Sequence, residues 1–246
     1  MIDEFRTAHT IVCMIHTQGL TKNYGLNPVL RGVDLEVAAG DFVVLIGPNG
    51  AGKTTLMRIL STLLRPSAGE VMIGGWPLRT HADKVRRHIG LVSHQPMVYG
   101  DLTAAENLAF FARLYQLDHQ EERITQALKA VGLLARQRDA VNTFSRGMLQ
   151  RLTLARATLH EPDVLLLDEP YTGLDQTASH LLDDLLQQEM SNGRTILMIT
   201  HDLRHGLNLC QRIAILNKGR IVSEINSHDI DPAELLTIYA QATGSL

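Results

Sequence analysis

The sequence predicts an α/β fold in which a parallel core sheet is interrupted by an inserted block of helices. After Asp41 the chain runs apolar without a break from Phe42 to Ile46 and then enters a glycine-rich segment, the pattern of a strand buried on both faces. Between about Pro96 and Pro162 strand patterns give way to helical ones, and from Val164 the alternation of strands and helices resumes. At 246 residues the chain fits one large domain with a core of its own. Residues 1–14 read as an N-terminal extension, with Met14 a candidate natural start. Residues 15–246 read as a single domain, with about 96–160 as its helical subdomain.

The elements follow in order. Val33, Leu35 and Val37 alternate with Asp34 and Glu36, which predicts a strand with one solvated face. Leu56, Ile59, Leu60 and Leu63 recur at helical spacing, and Pro66 closes that helix. Thr103 and Glu106 form a capping box ahead of the apolar stripe Leu108, Phe111, Ala112 and Tyr115. Met148, Leu152, Ala155 and Leu159 make a second helical stripe, and residues 164–167 and 195–200 read as buried strands. Asn217, Lys218 and Gly219 turn the chain between two short apolar runs, a predicted hairpin.

Composition narrows the function. With 23 basic against 26 acidic residues and 4% aromatics, the chain predicts neither a phosphate-tracking surface nor a base-stacking platform, so nucleic acid is not an expected partner. Cys13 and Cys210 lie too far apart for a metal-spaced pair and read as two ordinary thiols of a reducing compartment. The apolar runs are too short to span a bilayer and no leader pattern opens the chain, so a role at a membrane requires another subunit.

The chemistry is concentrated in two places. Gly47, Pro48, Asn49, Gly50, Ala51, Gly52, Lys53 and Thr54 match the phosphate-loop pattern between a strand and a helix, with Thr55 beside it. There the glycines let the backbone close on phosphates, Lys53 reaches the β- and γ-phosphates, and the Thr54 hydroxyl ligates magnesium. Asp168 and Glu169 end an apolar strand where open α/β sheets bind ligands. Asp168 is the expected magnesium holder, and Glu169 the expected base for an attacking water.

The residues beyond these resemble the ATP-binding subunits of ABC transporters, and the resemblance covers nearly the whole chain. Phe144, Ser145, Arg146, Gly147 and Met148, continued by Gln150 and Arg151, resemble that family's signature, usually Leu-Ser-Gly-Gly-Gln; Arg146 and Met148 depart from it. Thr172, Gly173, Leu174 and Asp175 resemble its D-loop, Gln95 its glutamine loop, His201 its switch histidine, and Tyr24 the aromatic that stacks on adenine. The resemblance implies a phosphate-loop NTPase core with an antiparallel β-subdomain and an inserted helical subdomain. It implies that ATP and Mg2+ bind, that Gln95 senses magnesium or water, and that His201 contacts the γ-phosphate and Glu169. It implies a homodimer with two ATP molecules held head to tail, Ser145 and Gly147 of one copy facing the phosphate loop of the other. It also implies a membrane permease partner at the cytoplasmic face of the inner membrane. The stretch of residues 90–115, which includes Ser93, His94, Gln95 and Pro96, further resembles ATPase subunits that export haem for cytochrome c maturation. Exporters of drugs, lipids or polysaccharides share much of it, and a soluble ABC ATPase of protein or cluster assembly is the alternative.

Overall fold

The computed structural model describes residues 13–201 and 208–244. Two long strands, β1 (Cys13–Tyr24) and β2 (Asn27–Ala38), form an antiparallel hairpin. β4 (Ala68–Ile73) pairs with the other side of β1, and the two-residue β5 (Trp76–Pro77) closes that edge of a four-stranded antiparallel sheet. Along β2 the expected alternation appears as Val33, Leu35 and Val37 buried with Asp34 and Glu36 exposed.

The second sheet has six strands in the order β10-β9-β3-β8-β7-β6. β3 (Phe42–Ile46), β6 (Ile89–Val92), β7 (Val164–Asp168), β8 (Thr195–Ile199) and β9 (Arg212–Asn217) run parallel, and β10 (Arg220–Asn226) turns back on β9. The three central strands are buried at every position, so the period of two decides which core each side chain enters. Val43, Leu45, Val164, Leu166, Leu197 and Ile199 face one core. They pack there with α1 (Lys53–Leu60) and the antiparallel sheet. Phe42, Val44, Ile46, Leu165, Leu167, Ile196 and Met198 face the other. Full burial of one such side chain contributes about 1.5–3 kcal/mol, and both faces collect that gain.

That second core is completed by α3 (Ala104–Leu114), α4 (Gln120–Ala130), α5 (Arg146–Thr158) and α6 (Gln176–Ser191). From Val92 to Val164 the described chain has no strand of the sheets, only helices, short 3-10 turns and connecting loops. The capping box forms as expected: Glu106 N–H donates to Thr103 Oγ1 at 3.1 Å, and Thr103 N–H donates to Glu106 Oε2 at 2.8 Å. α2 (Ala82–His88) leads into β6, and α7 (Pro232–Thr243) ends the described chain, capped by Asp231.

One expectation fails. α1 does not continue through Leu63 to Pro66. It stops at Leu60, Thr62 adopts φ 64°, and Leu63 is exposed, so the last member of the apolar series lies outside the helix. The predicted turn at Asn217, Lys218 and Gly219 does form, with Lys218 at φ 47° and Gly219 at φ 79°. Two successive positive φ values suit the right-handed twist of a two-residue hairpin.

Candidate functional site

The phosphate loop leaves the C-terminal end of β3 and enters α1, and its backbone is wedged between two neighbours. A β-carbon on Gly47 would lie 2.1 Å from the Leu216 carbonyl oxygen of β9, so only glycine fits where the loop begins. Gly52, at φ 110°, caps α1, and a β-carbon there would meet Leu30 Cδ2 at 2.7 Å. The β9–β10 turn braces the loop from outside. Gly219 N–H donates to the Ala51 carbonyl at 2.9 Å, and the Gly219 carbonyl accepts from Arg31 N–H at 2.8 Å.

Lys53 is buried, and its Nζ donates to the carbonyls of Gly47 at 2.7 Å and Pro48 at 3.1 Å. Burial lowers its pKa while the charges of Glu169 and Asp168 oppose that shift, which places both carboxylates in its electrostatic reach. Asn49, Gly50 and Thr54 are exposed around this buried ammonium, Pro48 and Thr55 are half-buried, and Ala51 is buried against β2 and β9. The first turn of α1 therefore presents backbone amides and hydroxyls outward, with a positive charge behind them.

Asp168 ends β7, opposite Ile199 of β8, and is buried; desolvation and Glu169 raise its pKa, while His94 and Lys53 oppose the rise. Glu169 follows in the left-handed region, φ 54°, with its N–H held by the Ile199 carbonyl at 2.9 Å. Its Oε2 accepts from the ring Nδ1 of His201 at 2.7 Å and from the His201 N–H at 3.3 Å. The parallel strands β3, β8 and β7 thus deliver Lys53, His201, Asp168 and Glu169 to one end of the sheet. Thr54 and Asp168 offer hard oxygen donors, the set that a magnesium ion prefers, and magnesium sites are commonly completed by phosphates and water. A buried carboxylate with a raised pKa beside a buried ammonium is also the environment that a cation would stabilise.

The other expected residues are distributed more widely. Tyr24 ends β1 and is 46% exposed, with Lys22 Nζ 5.3 Å from its ring centroid. Gln95 is exposed in the segment after β6; its carbonyl accepts from Ser93 Oγ, and no hydrogen bond among the described residues ties its amide to Asp168 or Glu169. Ser145 caps α5, its Oγ accepting from Met148 N–H at 3.3 Å, and Asp175 caps α6 through Ala178 N–H at 2.8 Å. Ser145, Arg146, Gly147, Gly173 and Asp175 line one groove between α5 and α6, and no phosphate-loop residue lines it. Two participants escaped sequence reasoning. His94, next to Gln95, acts electrostatically on Asp168, and Tyr171, in the turn after Glu169, is fixed to α6. Neither residue type marks itself, and position beside a recognised motif is the signal that points to them.

The profile of the family described as "ABC transporter" matches residues 30–172. An uncharacterized ABC transporter ATP-binding protein, YdbJ, of Bacillus subtilis is 37% identical over 89% of this chain and 71% of its own length. A Nod factor export ATP-binding protein I of Cupriavidus metallidurans is 36% identical over 92% of this chain and 75% of its own. A solved dimeric ATP-binding cassette, in a post-hydrolysis state bound to ADP and Pi, superposes with a TM-score of 0.80 at 29% identity, over 87% of this chain and 99% of that one. Among the described residues no helix is long and apolar enough to cross a membrane. A phosphate loop braced by two sheets, a carboxylate pair at the end of β7 and a capped signature helix are thus found in a chain that belongs to the ABC transporter ATP-binding family and is an ATPase.

Proposed function

We propose that this chain drives an exporter as one of two identical ATP-hydrolysing subunits bound to a membrane permease at the cytoplasmic face of the inner membrane. The observation that carries the reading is the contact of Glu169 with His201 at 2.7 Å, beside buried Asp168 and Lys53 at the end of the parallel strands. Glu169 accepts the proton of the attacking water, and His201 orients that carboxylate while reaching toward the terminal phosphate. Lys53 exchanges its bonds to the Gly47 and Pro48 carbonyls for phosphate oxygens, and the loop amides with Thr54 and Thr55 hold the remaining charge. Thr54 and Asp168 would hold a magnesium ion, with Gln95 as its sensor, and the ion would supply neutralisation of the charge that develops on the phosphates. Tyr24 stacks on the adenine.

Ser145, Gly147 and Asp175 face outward in their groove to meet the nucleotide of the second copy, which the dimeric structural relative supports. Permease docking is supported by the exposed side chains of Met97 and Tyr99, which follow Gln95 in the chain, with Tyr99 edge-on to Phe110 at 5.2 Å. Export is supported by the similarity to the Nod factor export ATP-binding protein I of Cupriavidus metallidurans. Haem as cargo is the finer reading, favoured by the segment 90–115. Holocytochrome c in a deletion strain tests it, with a Lys53→Ala copy as rescue control and normal maturation counting against haem. Turnover of Glu169→Gln tests the site itself. The expected loss is about 10²- to 10⁴-fold with nucleotide binding kept, and wild-type turnover would refute the assignment.

A further inference from the structure

The turn from Glu169 to Asp175 is tied down by three side chains that phosphate chemistry does not use. Gln150 of α5 donates Nε2 to the Pro170 carbonyl at 3.0 Å. Arg146, also of α5, lies against Gly173, where an added β-carbon would meet Arg146 Cδ at 3.5 Å. Tyr171 is buried, and its hydroxyl donates to Asp183 Oδ1 of α6 at 2.5 Å. Burial, reinforced by that carboxylate, pushes the Tyr171 phenol far up, so it remains a proton donor at any physiological pH. A short hydroxyl-to-carboxylate hydrogen bond is among the stronger ones a protein makes.

The position of this bond matters more than its strength. Tyr171 follows Glu169 by two residues, and Asp183 lies on the helix that Asp175 caps. Glu169 itself sits at φ 54°, a conformation rare for a side chain of its size, so its surroundings must hold it there. The Thr172 N–H donates to the Glu169 carbonyl at 3.2 Å, which closes the turn on the glutamate. A shift of α6 therefore reaches Glu169 through Asp183 and the phenol. The first turn of α6 also lines the groove that contains Ser145 and Gly147.

We propose that Tyr171, acting through Asp183, is a positioning residue that couples the orientation of Glu169 to whatever seats in the groove between α5 and α6. The inference rests on the reading above, that Glu169 is the base and that the groove receives a second copy.

Tyr171→Phe removes only the hydroxyl, Asp183→Ala removes the acceptor, and Asp183→Asn keeps an acceptor oxygen. In the full chain, Tyr171→Phe and Asp183→Ala are each expected to lower kcat about tenfold, the scale of one hydrogen bond to a charged group. KM for ATP should stay within about twofold, which marks an effect on the reaction rather than on binding. Asp183→Asn should restore most of the rate, and the double variant should be no slower than either single one, because both break the same link. Wild-type kcat in Tyr171→Phe, additive losses in the double variant, or losses that disappear below the variants' lowered Tm would overturn the proposal. Glu169→Gln is run alongside. If it is inactive while Tyr171→Phe is unaffected, only the coupling fails; if it turns over normally, the reading beneath it fails.

Discussion

The phosphate loop and the groove at the signature helix are two ends of the proposed chemistry, and they are built differently. At the phosphate loop, each functional group already leans on another. Lys53 is bonded to loop carbonyls, Glu169 to His201, and Asp168 lies in the field of Lys53 and His94. At the signature end, Ser145 and Asp175 are occupied with capping their own helices and otherwise face an open groove. The first place is internally bonded, and the second is open to solvent. On the shared-site reading proposed above, the single chain binds nucleotide and completes its catalytic surroundings only against a second copy, which couples assembly to hydrolysis.

Substitutions at the two ends should therefore fail in different ways. The largest effect is expected at the loop itself. Gly47→Ala forces a β-carbon onto the Leu216 carbonyl, 2.1 Å away, so nucleotide binding by the single copy should fall by at least about a hundredfold in a titration. Near-native affinity would show that the strand β9 is free to give way.

Ser145→Ala comes next. It should leave single-copy affinity unchanged and lower turnover by roughly tenfold to a hundredfold, the cost of removing one partner of a polar contact made only in the closed state. Because Ser145 also caps α5, Ser145→Thr serves as the control that keeps both cap and hydroxyl. Equal losses of affinity and turnover would break the distinction between the two ends.

The smallest effect lies far from both. His160 is stacked on Tyr115 at 3.9 Å, and burial pushes its pKa down to about 4, with the Ile89 carbonyl opposing. The unfolded chain takes up this proton as pH falls below the ordinary histidine value, about 6.5, whereas the folded chain resists until about 4. The neutral ring therefore favours folding fully at neutral pH, and that contribution drains away as pH falls from about 6.5 toward 4. His160→Gln should flatten the acid-side decline of Tm over that window, while leaving turnover at neutral pH within about twofold. An unchanged slope would show that His160 does not control it.

How much of this was legible in the sequence follows from how local each feature is. The phosphate loop, the capping box and the Lys218–Gly219 turn are contiguous, so short-range chemistry specifies them. Periodicity carries α1 past its true end because Leu63 is apolar yet exposed, and spacing alone does not specify which leucine meets the core. An all-apolar run such as Phe42–Ile46 announces a buried strand without saying which alternate residues face which core. The Tyr171–Asp183 bond has no sequence signal, since it joins two ordinary residues across a turn and the first half of a helix.

In the proposed dimer, Ser145 of one copy completes the nucleotide site of the other. Light scattering on Glu169→Gln, with and without ATP and magnesium, decides whether it does. Two copies held together by uncleaved nucleotide are expected, with the doubled mass lost again when Ser145→Ala is added. A Glu169→Gln chain that binds ATP and remains at single-copy mass under the same conditions would contradict the shared site.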